Sequence, residues 1–347
     1  MNLGVVGAGW WGQKIIRTLQ KSEKIKVLAV SEPALAAGAR ALCDELGIRV
    51  FSTYDELLRL QDLDGVVLTT PNSLHEAQII QAAEAGKHVF SEKPLSLSLE
   101  SAKRAVHSCL VHNVRLGLGH ERRFEPPMIE VRDYVSSGAL GVVLQIEGNF
   151  SQNKFLALDP ANWRLSKKEA GCGPMTATGI HLLDLSISLV GPADKVYATS
   201  NNRVTGFESG DSVSAQIVFK SGAVGTINAM LATPFISRFA VYGTKGWVEI
   251  TDNSHVESPS GWVVTRSVDG DGIRTKHSEA VPPSNPVQRN LEAFADSIDA
   301  GQAAYPIALQ EMLDTTALLE AIARSGDEQA VVAPERADLK QWNFWGE

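Results

Sequence analysis

One turn constrains this chain more than any other stretch. GAGWWG, residues 7–12, lies between an apolar run, LGVVG, and a helical pattern from Trp11 to Leu19. Gly7 allows a tight turn, Gly9 lets the backbone approach a pyrophosphate, and Gly12 lets helix and strand pack closely. The helix N-terminus then offers unpaired N–H groups to an anion. Glycine-rich turns are common, so the motif carries weight only where a strand precedes it and a helix follows. Both conditions are met here.

The pattern repeats along the first part of the chain. KVLAV precedes a helix over Leu35–Leu46, and DGVVLTT precedes one over Ser73–Ala85. HVFSE precedes Leu99–His112, and VRLGLGH closes the series. Runs apolar on both faces, alternating with helices, predict a parallel sheet covered on both sides. Glu32 ends the second strand, twenty residues after Gly12. A carboxylate there accepts the ribose hydroxyls and repels a 2′-phosphate. The expected cofactor is NAD, with NADP not excluded. Ligands of such sheets bind beyond the carboxyl ends of the strands, which puts Thr70, Pro71 and Asn72 near the cofactor. His75, at the start of the next helix, reads more readily as a helix-terminus or supporting histidine than as a catalyst.

Composition excludes other classes. With 32 Lys+Arg against 40 Asp+Glu, the net charge of -8 leaves no basic excess for phosphate backbones. No apolar run approaches the ~20 residues of a membrane span. The N-terminus leads straight into a strand without a signal-peptide pattern. Cys43, Cys109 and Cys172 are scattered, which predicts a reduced, cytoplasmic protein without disulfides. HExxH, Cys/His clusters and GxSxG are absent from the sequence, so no metal and no serine nucleophile are assigned.

The grammar changes after residue 121. A helix near Glu125–Ser136 leads to a long strand, GVVLQIEGNF. In SVSAQIVFK, Val213, Ala215, Ile217 and Phe219 face one way and Ser212, Ser214 and Gln216 the other. GAVGTINAML and SRFAVYGTKGWVEI continue the series through turns. The expected fold is an α/β Rossmann domain over 1–121 and an α+β domain over 122–347. The second carries a large, mostly antiparallel sheet with one face on helices. Helices are expected at Val287–Ala300 and Ala308–Arg324, and long loops over His255–Asn285. The aromatics Trp342, Phe344 and Trp345 need a docking surface.

Two side chains stand out. Lys93 lies in FSEKPLS at the end of a strand, with Pro94 holding its backbone out of the following helix. Alone, it could equally be a solvated turn lysine. His181, in TGIHLLD, opens an amphipathic helix and could equally be a core histidine. AGKHVFSEKPLS resembles the lysine signature of the Gfo/Idh/MocA oxidoreductases, the glucose–fructose oxidoreductase and inositol dehydrogenase family. GVVGAGWWG, TPNSLH, GHERRFEPPM, NWR, GCGPMTATGIHLLD and AVYGTKGWVEI resemble further family segments, in the same order over nearly the whole chain.

The resemblance implies a dehydrogenase acting on CH–OH groups, with Lys93 and His181 as catalytic residues beside the nicotinamide. It implies a cofactor set of Gly7, Gly9, Trp10, Trp11, Gly12, Glu32, Thr70, Pro71, Asn72, His75, Glu92 and Lys93. The substrate set would be Arg123, Lys154, Trp163, Arg164, Thr178 and His181. His181 suits the proton step, and Lys93 suits stabilisation of the alkoxide oxygen. The family often has an aspartate four residues before the histidine, where this chain has Ala177. Its loss, with Lys154, Arg123 and Arg164 nearby in the motifs, leaves an anionic substrate open beside a sugar, polyol or cyclic diol. Arg123 and Arg164 could instead support loops through salt bridges. The open sheet face would form a homodimer or homotetramer interface. The alternative from another class is a sensor that holds NAD without turnover.

Overall fold

A computed structural model describes residues 1–255, 258–268, 276–298 and 304–339. Trp342, Phe344, Trp345 and the end of the helix expected to reach Ala300 lie outside the described residues. The chain divides into two compact units. The first holds Met1–Glu121, Val287–Met312 and the segment from Asp338, and the second holds Arg122–Pro286 and Leu313–Ala337.

The first unit is built on six parallel strands in the order β3-β2-β1-β4-β5-β6. They are β1 (Asn2–Val6), β2 (Lys26–Ser31), β3 (Arg49–Phe51), β4 (Gly65–Leu68), β5 (His88–Ser91) and β6 (Leu116–Leu118). The helices are α1 (Trp10–Leu19), α2 (Ala37–Leu46), α3 (Tyr54–Leu58), α4 (His75–Glu84) and α5 (Leu99–Val111). Every residue of β4 is buried, as a strand covered on both faces requires. Strand order reverses between β1 and β4, and this switch point opens a crevice at the carboxyl ends of the strands.

The sequence reading passed over β3 and α3. β3 has three residues, too few for periodicity to register. α3 did carry a signal: Thr53 and Glu56 form a reciprocal capping box.

The second unit holds α6 (Pro126–Ser136), β7 (Val143–Ser151), a π-helical turn (Met175–Gly179) running into α7 (Ile180–Val190), and β8 (Ala193–Asn201). β9 (Ser212–Phe219), β10 (Val224–Met230), β11 (Ile236–Gly243), β12 (Gly246–Asp252), β13 (Trp262–Val268) and β14 (His277–Val281) follow. The last helices are α8 (Pro286–Asp296) and α9 (Leu309–Glu328). The eight strands run β14-β13-β12-β11-β7-β10-β9-β8. Among the described residues of this sheet, only β7 and β10 pair in parallel.

Burial in β9 alternates as expected, with Val213, Ala215, Ile217 and Phe219 inside. This face meets α7: a Cβ on Gly148 would touch the Leu182 side chain at 2.9 Å. The opposite face is polar or small along a whole cross-strand row, from Tyr197 through Gln216, Thr226, Glu147, Ala240 and Glu249 to Thr265. Arg238 ties that face together, bonding Glu249 at 2.6 Å and Glu147 at 3.0 Å. Long loops were expected over His255–Asn285; residues 256–257 and 269–275 lie outside the described residues, and the described part holds β13 and β14. WVVTRSV is rich in β-formers and buries Trp262 and Val264, which outweighs the flanking glycines and prolines.

α8 returns to the first unit and protects its β6 edge. Phe294 meets Phe90 edge-on at 5.6 Å. Tyr305 and Asn290 occupy the Leu118 backbone: Leu118 N–H donates to Tyr305 Oη at 3.2 Å, and Asn290 Nδ2 donates to Leu118 O at 2.9 Å. Side chains thus close an edge that would otherwise offer free strand groups.

In the second unit, two consecutive arginines act as internal braces. Arg122 donates to both carboxylate oxygens of Asp252 at 2.8 Å and to Ser237 Oγ at 2.7 Å. Arg123 grips Asp184 of α7 through Nε and Nη2, both at 2.6 Å, with side-chain exposures of 7% and 1%. Removing one partner of such a pair strands a buried charge, whereas replacing both with apolar groups costs little. Asp184→Ala should therefore lose about 3–5 kcal/mol in urea denaturation, and Arg123→Met/Asp184→Leu should recover most of it. A loss below about 1 kcal/mol in the single variant would contradict the brace.

Candidate active site

In the first unit, Gly7 and Gly12 are required by geometry. Gly7 has φ +91°, and a Cβ on Gly12 would lie 2.1 Å from Gly7 O. Gly9 caps α1 without any side-chain cap bond, and nothing lies within 4 Å of where its Cβ would be. The first N–H groups of α1 are thus open to an approaching anion. Trp10 and Trp11 stack tilted at 5.3 Å, Trp10 largely exposed and Trp11 with a buried Nε1–H that has no partner. Glu32 reaches the same turn, its Oε2 accepting the Ala8 N–H at 2.8 Å. An uncapped helix start, an open glycine, an unpaired indole donor and a carboxylate at the end of β2 together fit a dinucleotide.

Thr70, Pro71 and Asn72 follow β4 at the switch point, with Asn72 buried. His75, counted in the cofactor set but read more readily as a supporting histidine, is fully buried at 0% exposure. Its Nδ1 lies 2.8 Å from Pro94 O and its Nε2 3.1 Å from Thr70 O. It binds main chain, and its part in the site is indirect. Glu92 is also buried, its Oε2 accepting the Lys93 N–H at 3.3 Å. From Ser91 to Ser96, Lys93 is the one residue that is not buried.

In the second unit, His181 is the second residue of α7 and follows the π turn, at 4% exposure and with its ring 6.1 Å from that of Phe150. The Phe150 ring also meets His255 at 5.8 Å, Phe235 at 6.3 Å and the Arg122 guanidinium at 5.2 Å. Thr178, expected at the substrate, is an internal pin: its hydroxyl donates to Phe150 O at 2.6 Å and also lies 3.1 Å from Pro174 O. Arg123 takes the loop-supporting reading through Asp184. Arg164 stacks on Trp163, 4.1 Å from its ring centroid, and Lys154 is exposed in the connection after β7. The anionic-substrate idea thus loses Arg123 as support. The π turn also changes the spacing at Ala177. Ile180 N–H bonds Met175 O, five residues back, so residue 177 is less than one full turn from His181.

The sequence reading missed Gln152. It continues the β7 ladder, donating its N–H to Met230 O at 2.9 Å, and alternation puts it on the face of Phe150. It is 6% exposed with a buried, unpaired Oε1. The period-two count from Phe150 was the signal available. His255 was missed as well, because no periodic pattern leads to it.

The three thiols are buried and free. Burial raises each above its usual range, Cys109 to about 12, so none is a thiolate at neutral pH. Among the described residues no group of His, Cys, Asp and Glu could hold a metal.

Residues 1–120 match the oxidoreductase family GFO_IDH_MocA, NAD-binding Rossmann fold, and residues 128–249 match the GFO/IDH/MocA C-terminal domain. The chain belongs to the GFO/IDH/MocA oxidoreductase family. It is 29% identical over 336 residues to D-xylose 1-dehydrogenase (NADP(+)) 2 of Haloferax volcanii, covering 96% of this chain and 99% of that one. An uncharacterized oxidoreductase of Streptococcus pneumoniae is 32% identical over 169 residues, and the chain spans 45% of its length. The crystal structure of aldose-aldose oxidoreductase from Caulobacter crescentus, complexed with glycerol, superposes with TM-score 0.84 at 25% identity. That match covers 96% of this chain and 99% of that one. The two-domain fold and the nicotinamide dinucleotide expected from sequence both hold. The family is one of oxidoreductases, so the sensor reading falls.

Glu32→Ser removes both the bond to Ala8 and the carboxylate that would meet a ribose diol. It should raise the NAD dissociation constant about tenfold or more and improve the NADP/NAD ratio. Weakening of the turn alone would leave that ratio unchanged. Fluorescence titration with NADH and NADPH measures it, and a wild-type preference for NADPH would overturn the role given to Glu32.

Proposed function

We propose that this protein is an NAD-dependent dehydrogenase interconverting a secondary alcohol and a ketone, or the equivalent carbonyl, on a sugar or polyol. One observation carries the reading: Lys93 stands partly exposed at the carboxyl end of β5, on the sheet edge that carries the glycine turn. The sugar class is supported by the xylose dehydrogenase and aldose oxidoreductase relatives. The bound nicotinamide would accept or supply the hydride.

The remaining steps fall to side chains of the chain. The Lys93 ammonium donates to the substrate oxygen and stabilises the charge that develops there as the hydroxyl proton leaves. His181 takes that proton in oxidation and returns it in reduction. Asp184, held by Arg123, fixes the helix turn that carries His181. The remaining cofactor residues are Gly7, Gly9, Trp10, Trp11, Gly12, Glu32, Thr70, Pro71 and Asn72. On this reading residues 1–121 bind the dinucleotide and the later part binds substrate.

Two further assignments are ours. The protein is cytoplasmic, in keeping with three free, buried cysteines. Among the described residues no helix is long and apolar enough to cross a membrane. It self-associates through the polar face of the eight-stranded sheet, where Tyr197 and Ile236 are 40% and 42% exposed. Sedimentation velocity at micromolar concentration should show a dimer or larger; a monomer would remove that assignment.

A panel of aldoses, polyols and their ketones, followed by NADH absorbance in both directions, tests the activity. On the best substrate, Lys93→Met should cut kcat by about a hundredfold or more while NADH binding persists. Near-normal turnover would return Lys93 to a surface role.

A further inference from the structure

His75, in the expected cofactor set, is withdrawn completely from the surface. It is the first residue of α4, and each ring nitrogen meets a main-chain carbonyl, Pro94 O at 2.8 Å and Thr70 O at 3.1 Å. Carbonyl oxygens only accept. A neutral ring therefore donates to one of them, and an imidazolium to both. The two carbonyls belong to different loops, one after β4 and one after β5.

The β4 side is a fixed reference. Thr70 is tied to Gln78 of α4 by its hydroxyl, and Leu74 N–H bonds Pro71 O at 3.0 Å. The β5 side holds Lys93 between two anchored neighbours. Glu92 N–H donates to Leu68 O at 2.9 Å, and Pro94 carries the carbonyl that His75 grips. Beyond it, Leu95 and Ser96 are buried. The Lys93 backbone is thus held on one side by the β4 ladder and on the other by the imidazole.

We infer that His75 is a positioning residue: through its Nδ1 contact to the Pro94 carbonyl it aims the Lys93 side chain at the cofactor. This rests on the reading of Lys93 as a residue at the nicotinamide. The contact is a side chain against a main-chain atom, so its loss shifts Lys93 without removing any group from the dinucleotide site. Asparagine places its amide nitrogen near imidazole Nδ1, and glutamine near Nε2. The two variants therefore restore different halves of the tie.

The test uses the full-length protein with lysines reductively dimethylated with ¹³C, the Lys93 resonance being identified by its loss in Lys93→Arg. NADH is the probe, and NADH fluorescence gives binding independently. In the wild type NADH should shift the Lys93 resonance. His75→Leu and His75→Gln should lose that shift while the NADH dissociation constant stays within about threefold, and His75→Asn should keep it. If His75→Leu fails to fold, the asparagine and glutamine variants decide. Wild-type shifts in both the leucine and glutamine variants would overturn the inference, as would loss in all three, which marks a general packing effect. A glutamine variant that keeps the shift while asparagine loses it would also overturn it. Absence of any NADH-dependent shift in the wild type would bring down the reading of Lys93 itself, and this inference with it.

Discussion

Four segments of the first unit converge within three residues of backbone. Thr69 Oγ1 lies 2.6 Å from Gly7 O and 3.0 Å from Val6 O, Gly7 N–H bonds Ser31 O at 2.9 Å, and Glu32 takes the Ala8 N–H. β1, β2, β4 and α1 are thus fastened at one point. α1 can begin there only because Gly12 has no Cβ to meet Gly7 O. The cofactor edge follows from this approach, since it fixes where the open N–H groups of α1 point relative to Thr70 and to the end of β5. A methyl group at residue 12 would move the helix off the sheet before it touched any ligand.

The second unit solves a different problem. A mostly antiparallel sheet buries one face on helices, and its catalytic candidate is a buried histidine where a π turn passes into an α-helix. Charge does the orienting. Arg123 and Asp184 fix α7 one turn after His181, and Arg122 with Asp252 and Ser237 backs the Phe150 ring that His181 faces. Buried pairs of this kind add little net stability compared with apolar replacements. Their value here is geometric, since each defines a direction that a leucine contact would leave loose.

Periodicity made the parallel sheet and the alternating strands legible, because burial on two faces or one writes itself into the side chains. Val213 to Phe219 behave residue by residue as alternation requires. Three-residue β3 escaped because no period fits in three residues. β13 and β14 escaped because the surrounding Gly, Pro and Ser masked WVVTRSV. The π turn before His181 escaped for another reason: Thr176, Thr178 and Gly179 are weak helix formers, so the helix reads as opening at His181 when it already runs through Met175–Gly179. It matters at Ala177, which the π turn leaves less than one full turn from His181.

Site residues were harder to read than elements, and the pattern of error is physical. A motif shows which donors and acceptors stand at the end of a strand or helix, not which way they turn. Thr178 read as a ligand contact and turns inward to a carbonyl of its own unit, while His75 and Arg123, each also readable as a support, take the supporting place. Gln152 read as nothing, and its amide oxygen is buried without a partner. Lys93 stands between Glu92, whose N–H is bonded to β4, and Pro94, whose carbonyl is held by His75. His181 stands between Thr178, pinned to β7, and Asp184, pinned by Arg123. In both segments one candidate for chemistry is flanked by polar neighbours engaged in holding it. Polar density in such a motif therefore measures how firmly a single group is fixed, and only the direction of each side chain tells the group from its fasteners.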